Sequence, residues 1–275
     1  MLRKFLKSGA ATALLALAAP ANAAWSGLNM PTGVTTLSGE IQGIHMLMFW
    51  LCVVIAIVVF GWMIFSLVKF RKSRGAVPDT KLVHSTLAEI IWTLVPVVIL
   101  VVTAVPAAKT LIKIEDARGT QLTIKVTGYQ WKWQYEYMDD GVSMFSTLSR
   151  DSDAARQLHS GIDPNTIPNY LLSVDNPLVV PVGKKVRLLL TAQDVIHAWW
   201  VPDLAVKKDA IPGMVNEIWF EIKPDKPGIY RGQCAELCGR DHGFMPIVVE
   251  AKSPEDFAAW LAAKKAPAAA PATTG

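Results

Sequence analysis

The run from Ile90 to Thr127, IIWTLVPVVILVVTAVPAAKTLIKIEDARGTQLTIKVT, changes character part-way along, and the change divides the chain. From Ile90 to Ala108 it is apolar almost throughout, long enough to cross a bilayer, and it carries Pro96 and Pro106. A spanning helix tolerates such prolines where neighbouring helices satisfy the freed backbone groups. From Leu122 the period becomes two: Leu122, Ile124 and Val126 alternate with Thr123, Lys125 and Thr127. That is the pattern of a half-buried strand. A lipid-facing segment thus gives way to a β-rich domain.

Upstream, Met46 to Val68 runs 23 residues with Ser66 as its one ordinary polar side chain. At ~1.5 Å per residue this crosses a ~30 Å hydrocarbon core. The mean hydropathy of +0.31 and the 52% hydrophobic content fit one soluble domain plus a membrane part. The first residues carry Arg3, Lys4 and Lys7, then an apolar stretch from Ala10 to Ala19, then Ala21-Asn22-Ala23. That order is a secretory leader over 1–23 with cleavage after Ala23, and no cysteine lies there for a lipid anchor. A retained amphipathic helix is the plainer reading.

Between the spans, residues 69–89 hold Lys69, Arg71, Lys72, Arg74 and Lys81 against Asp79 and Glu89, whereas 24–45 has Glu40 and no Lys or Arg. The hairpin loop therefore faces the cytoplasm, with both termini and everything after Ala108 on the other side. The whole-chain charge of +4 mixes compartments. Glu115 to Trp260 holds 15 Lys and Arg against 20 Asp and Glu, a net of −5. An acidic exposed domain argues against nucleic acid and attracts a basic soluble partner over roughly a Debye length of ~10 Å.

Further strand-type runs follow at Tyr170–Val174, Val179–Val182, Lys185–Thr191, His197–Val201, Glu217–Ile222, Gly228–Arg231 and Pro246–Ala251. Short strands punctuated by Pro and Gly imply a sandwich or barrel over 115–252. Ser253-Pro254-Glu255-Asp256 then opens one closing helix, 253–265, before an Ala- and Pro-rich tail, 266–275, expected to be disordered.

Chemistry concentrates at Gln233-Cys234-Ala235-Glu236-Leu237-Cys238-Gly239-Arg240-Asp241-His242-Gly243-Phe244-Met245, with His197 at the start of another strand. Cys52 lies apart in the first span and reads as a small lipid-buried thiol. Three plain readings compete: a Cys234–Cys238 disulfide in an oxidising compartment, a Cys2His2 structural zinc site, or a pair that exchanges thiols or delivers copper. Met245 shifts the balance. Zinc gains little from a thioether, whereas histidine, thiolate and a weak methionine make a copper electron-transfer set. With two thiolates and two histidines, the set suits two copper ions bridged by two sulfurs.

The Cys-x3-Cys-x3-His-x2-Met loop with an upstream histidine, on a β-domain behind two spans, resembles cytochrome c oxidase subunit II. The resemblance runs from about Ile41 to Trp260 and includes Ile91-Trp92-Thr93, Gln130-Trp131-Lys132-Trp133, Asp194-Val195-Ile196-His197 and Asp209-Ala210-Ile211-Pro212-Gly213. It implies a membrane-anchored all-β protein, a two-helix transmembrane hairpin followed by a cupredoxin-like Greek-key β-barrel; the leader adds the expectation of a bacterial inner membrane, with the barrel in the periplasm. It implies a binuclear copper centre on His197, Cys234, Cys238, His242 and Met245 and the Glu236 carbonyl, with the Glu236 carboxylate on a magnesium or manganese ion shared with subunit I.

By the same resemblance Trp131 is the port where cytochrome c delivers its electron, and Glu136, Asp139, Asp140, Asp194 and Asp203 supply an acidic docking surface. Glu89 stands at the mouth of a proton pathway in subunit I, and subunits I and III are neighbours in a proton-pumping oxidase. The plain readings of these residues are solvated charges, a helix-end carboxylate and, for Trp131, one of five aromatics alternating from Tyr129 to Tyr137 on a packed face. A regular strand would turn Trp131 and Trp133 the same way, so an exposed Trp131 requires a bulge or an edge. Gln193 and Met214 depart from residues found in some relatives. The rivals are a copper-free quinol-oxidase subunit, expected to lack the ligands, and a tethered copper chaperone or thiol oxidoreductase.

Overall fold

The computed structural model describes residues 29–77, 80 and 84–265. The expected leader, the C-terminal tail, and Asp79 and Lys81 of the charged loop lie outside them. One compact unit begins at Thr32; Asn29–Pro31, the described part of the other, carry no helix or strand.

Two apolar helices open this unit, α1 (Thr36–Lys69) and α2 (Thr86–Ile114), both long and apolar enough to cross a membrane. Each outruns its expected span of 46–68 or 90–108, because caps rather than hydropathy set helix ends. The Thr35 hydroxyl accepts from the Ser38 N–H while Ser38 Oγ accepts from the Thr35 N–H, a capping box that starts α1 ten residues before the apolar run. Ser85 caps α2 with one bond, its hydroxyl accepting from the Ala88 N–H. The helix α2 runs unbroken through Pro96 and Pro106. Lys113 near its end pairs with Glu40 of α1 at 2.7 Å.

The domain beyond holds ten strands in two sheets. One sheet has the order β3 (Val142–Ser146), β2 (Lys132–Tyr137), β1 (Leu122–Tyr129), β5 (Lys185–Ala192), β8 (Asn216–Glu221). The other has β4 (Leu178–Pro181), β10 (Pro246–Lys252), β9 (Gly228–Cys234), β6 (His197–Val201), β7 (Val206–Ala210). The β1–β5 and β4–β10 pairs are parallel and the others antiparallel. Strict alternation in β5 and β2 turns Leu188, Leu190, Trp133, Tyr135 and Tyr137 inward against Trp199, Ile247 and Val249 of the facing sheet. Each large apolar side chain so buried contributes about 1.5–3 kcal/mol. The Tyr137 hydroxyl donates to Val179 O at 2.7 Å and ties the two sheets.

Two expectations change. Tyr170–Val174 is a turn with a single bridge, Val174 to Leu148, because the segment crosses an edge rather than entering a ladder. The continuous strand expected across Tyr129–Tyr137 is broken: β1 ends at Tyr129, β2 begins at Lys132, and Gln130-Trp131, joined by a cis peptide bond, forms the hairpin turn. Trp131 is thereby released from the alternation and lies half-buried at the tip while Trp133 is fully enclosed. A short helix, α3 (Arg150–Ala155), lies in the β3–β4 connection, and the closing helix is α4 (Pro254–Lys265). Ser253 caps α4 through the Asp256 N–H at 3.1 Å, and Phe257 and Trp260 close over Tyr137.

Candidate metal centre

The β6–β9 pairing sets the register of the site. Trp199 lies opposite Cys234, so His197 at the start of β6 and Cys234 at the end of β9 meet at one end of these two inner strands. His197 Nδ1 is 3.9 Å from Cys234 Sγ, and Cys234 Sγ is 3.8 Å from Cys238 Sγ. Cys238 Sγ in turn is 3.5 Å from His242 Nδ1 and 3.5 Å from Met245 Sδ. Both cysteines are free thiols, and with His197 they form a buried group whose ligand atoms lie within 4.8 Å of one another. His242 falls outside that tighter group, although it touches Cys238. The Glu236 carbonyl accepts from Cys234 Sγ at 3.3 Å, so the backbone faces the sulfurs while the residue itself is exposed.

The support around these atoms is polar and specific. Asp194 Oδ1 lies 2.9 Å from His197 Nε2, and the carboxylate also accepts from the Gln130 and Val195 N–H groups, each at 2.7 Å. This leaves His197 Nδ1 facing the sulfurs. Burial opposes a charge on His197, but Cys234 and Asp194 outweigh it and hold its pKa above the ordinary histidine value. Burial likewise disfavours the thiolates; contacts with His197 and backbone N–H groups bring Cys234 below the usual thiol value, and burial with the neighbouring Cys234 pushes Cys238 above it. Asp194→Asn, which removes one cause of the upward shift, is expected to lower the His197 pKa in the metal-free chain, as read by NMR titration. An unchanged value would assign the shift to Cys234 alone.

The other anticipated residues fall in different places. Trp131 Nε1 donates to Cys238 O at 3.1 Å and Gln130 Nε2 to the same oxygen at 2.9 Å, so the hairpin tip rests on the ligand loop. The docking acids do not surround it. Because β2 runs away from the tip, Glu136 sits five residues down the strand, paired with Lys125 at 2.8 Å. Asp139 and Asp140 lie beyond the strand's far end, roughly 20 Å away at ~3.3 Å per residue, with Asp140 paired to Lys265 at 2.6 Å. Asp203 follows the far end of β6, where its carbonyl accepts from the Val34 N–H. Of these acids Asp194 adjoins the site, where its carboxylate is bonded to His197. Glu89 lies in the first turn of α2, 3.6 Å from His84, where a helix N-terminus favours a carboxylate.

Close approach of the backbone adds two positions that spacing did not indicate. A Cβ at Gly128 would lie 2.7 Å from His197 Cδ2, and one at Gly232 would meet the Trp200 carbonyl. Only the absence of a side chain lets β1 and β9 press against β6.

Comparison with known families is decisive. Residues 122–252 match the family described as cytochrome c oxidase subunit II, periplasmic domain, and residues 23–110 match its transmembrane domain. The chain belongs to the cytochrome c oxidase subunit II family. It is 43% identical over 228 residues to the probable cytochrome c oxidase subunit 2 of Rickettsia conorii, covering 82% of this chain and 68% of that one. It is 42% identical over 228 residues to cytochrome c oxidase subunit 2 of Phytophthora megasperma, covering 82% of each. The crystal structure of the periplasmic domain of cytochrome oxidase subunit II of Bradyrhizobium japonicum matches with a TM-score of 0.46 and 42% identity, over 54% of this chain and 96% of that one. As a subunit II the chain is a membrane-anchored part of a haem-copper oxidase, with a copper-binding periplasmic domain behind two apolar helices. The clustered histidine, cysteine and methionine side chains fit copper, which accepts imidazole, thiolate and thioether together.

Proposed function

We propose that this chain is the electron-accepting subunit of its oxidase. It takes electrons from a c-type cytochrome at Trp131, holds them at a binuclear copper centre on His197, Cys234, Cys238, His242 and Met245 and the Glu236 carbonyl, and passes them to haem in subunit I. The observation that carries this reading is the pair of free thiols 3.8 Å apart, with a histidine Nδ1 against each sulfur and a thioether beside Cys238. A single tetrahedral zinc gathers its four ligand atoms within about 4 Å of one another. The Met245 thioether beside Cys238 favours copper instead, because zinc gains little from such a ligand. A copper-free quinol-oxidase subunit would not need this set.

The bound copper pair supplies one-electron transfer with little change of geometry. The residues of the chain do the rest. Asp194 fixes the orientation of His197, and the enclosed Trp133 packs against that ring at 5.8 Å between centroids and keeps water away. The Trp131 N–H on the Cys238 carbonyl provides a short bonded route inward. The Glu236 side chain, exposed on the same turn, shares a magnesium or manganese ion with subunit I in this reading, which its exposure supports.

The excess of Lys and Arg between the helices sets that loop in the cytoplasm of a bacterial inner-membrane protein, with the copper domain and both termini in the periplasm. The exposed apolar faces of α1 and α2 meet lipid and subunits I and III, and Glu89 borders a proton route in subunit I. The donor is steered by the domain's overall negative charge more than by a ring of acids at the port.

Copper quantitation with electron paramagnetic resonance on the full chain in detergent tests the reading. Two coppers sharing one unpaired electron are expected. One zinc, or a Cys234–Cys238 disulfide that takes up no copper after reduction, overturns it.

A further inference from the structure

The ligands rest on two unequal supports. His197 and Cys234 stand at the ends of β6 and β9, fixed by the sheet. Cys238, His242 and Met245 lie on the stretch before β10 resumes at Pro246, where the backbone bonds are local: His242 N–H to Gly239 O at 3.3 Å and Phe244 N–H to Asp241 O at 2.9 Å. The Gln130 and Trp131 donors secure this stretch at Cys238 but do not reach its second half, where Trp133 Nε1 donates to Met245 O at 3.4 Å at the very end of the stretch.

Arg156, which ends α3, does reach it. Its guanidinium carbon lies 4.3 Å from the Phe244 ring, and Nη1 lies 3.6 Å from Asp241 Oδ1. Asp241 and Phe244 immediately precede His242 and Met245, so one side chain holds the neighbour of each outer ligand. Nε is paired with Asp153 at 2.7 Å, and the Arg156 side chain is only 22% exposed.

The base of this contact is itself tied down. Ser149 N–H donates to Ser173 O at 2.9 Å, the Leu171 N–H donates to Ser152 Oγ at 3.2 Å, and Thr147 is bonded to Asp175. A groove of about 290 Å³ between Trp131, Leu148 and Phe244 separates α3 from the loop elsewhere. Arg156 spans a gap that packing leaves open.

We infer that Arg156 is a positioning residue that clamps the outer half of the copper loop, holding His242 and Met245 ready for the metal from a helix that contributes no ligand. A planar guanidinium suits the task because it stacks on a ring while its edge pairs with a carboxylate, which a lysine ammonium does not do. The copper part of this inference rests on the proposed function.

The test uses the full chain in detergent, as wild type, Arg156→Ala, Arg156→Lys, Phe244→Leu and, as a control on an exposed arginine of the same helix, Arg150→Ala. Copper affinity is read by competition with a chelator, and hydrogen exchange of amides 239–245 is read in the metal-free protein. Arg156→Ala is expected to weaken copper binding about 10- to 100-fold, as loss of an outer support commonly does, and to speed exchange of those amides while the β6 and β9 amides keep wild-type protection. Arg156→Lys is expected between wild type and alanine, Phe244→Leu to shift both readouts the same way, and Arg150→Ala to shift neither.

Copper affinity and loop exchange both unchanged in Arg156→Ala and Phe244→Leu overturn the clamp, as does faster exchange spread equally over β6 and β9. Wild-type protein that takes no copper overturns the proposed function instead, and the exchange pattern then decides the clamp. If Arg156→Ala does not fold, Phe244→Leu and Arg156→Lys carry the decision.

Discussion

Gly232→Ala is expected to lower the stability of the β-domain by about 3 kcal/mol or more and to abolish copper retention, an overpacking effect at the severe end of its range. The added Cβ would sit on the Trp200 carbonyl oxygen, 2.9 Å from the Trp200 carbonyl carbon and 2.8 Å from Val201 Cγ2. Two of those three atoms are backbone, so no rotamer change relieves the clash; β9 and β6 must part. That pair carries the Trp199–Cys234 and Trp200–Gln233 register, which brings Cys234 to His197. Thermal unfolding of the metal-free chain together with copper content measures both effects. Gly243→Ala is the matched control, because a Cβ there meets nothing within 4 Å although it lies between His242 and Phe244. Stability within about 0.5 kcal/mol of wild type is expected for it. Equal melting of Gly232→Ala and wild type would show that the sheet yields where the packing says it does not.

Trp131→Phe is expected to leave copper content and the paramagnetic signal intact while slowing electron uptake from a reduced c-type cytochrome at least tenfold, about 1.4 kcal/mol of barrier. Phenylalanine keeps an aromatic ring at the hairpin tip but has no N–H to give the Cys238 carbonyl, now bonded at 3.1 Å. Gln130 holds the same oxygen at 2.9 Å, so the loop stays placed and the change isolates the route from the scaffold. Stopped-flow mixing with the assembled oxidase reads the rate. Wild-type speed in the variant would move the port away from Trp131, and loss of copper would recast the residue as structural.

The proposed copper ligands stand out in the sequence because four of the five side chains lie within twelve residues and their chemistry is unusual in combination; only the His197 side chain stands apart. The architecture was legible where one period held over several residues, as at Leu122–Thr127 and Lys185–Thr191. The edge strand β7, Val-Lys-Lys-Asp-Ala, was missed because its charged middle hides the alternation. Tyr129–Tyr137 misled in the opposite way: a perfect alternation continued through a turn that the sheet imposes. The roles of Asp194, Arg156, Gly128 and Gly232 were not readable, because each depends on contacts across the fold. Arg156 meets Phe244, 88 residues on, and Gly128 meets His197, 69 residues on, and no local pattern encodes such a meeting.

The junction of α2 with the β-domain is held from several sides. Trp219 Nε1 donates to Lys113 O at 3.2 Å, and Lys185 Nζ donates to Asp116 O at 2.6 Å and Arg118 O at 2.8 Å while lying 3.8 Å from the Trp219 ring centre. At the other helix, the Thr35 hydroxyl donates to Leu204 O and the Lys223 N–H donates to Val34 O. Bonds to both membrane helices make the junction a rigid bracket, not a hinge. The candidate metal site then keeps a set height and tilt over the two membrane helices, as a lamp does on a fixed bracket.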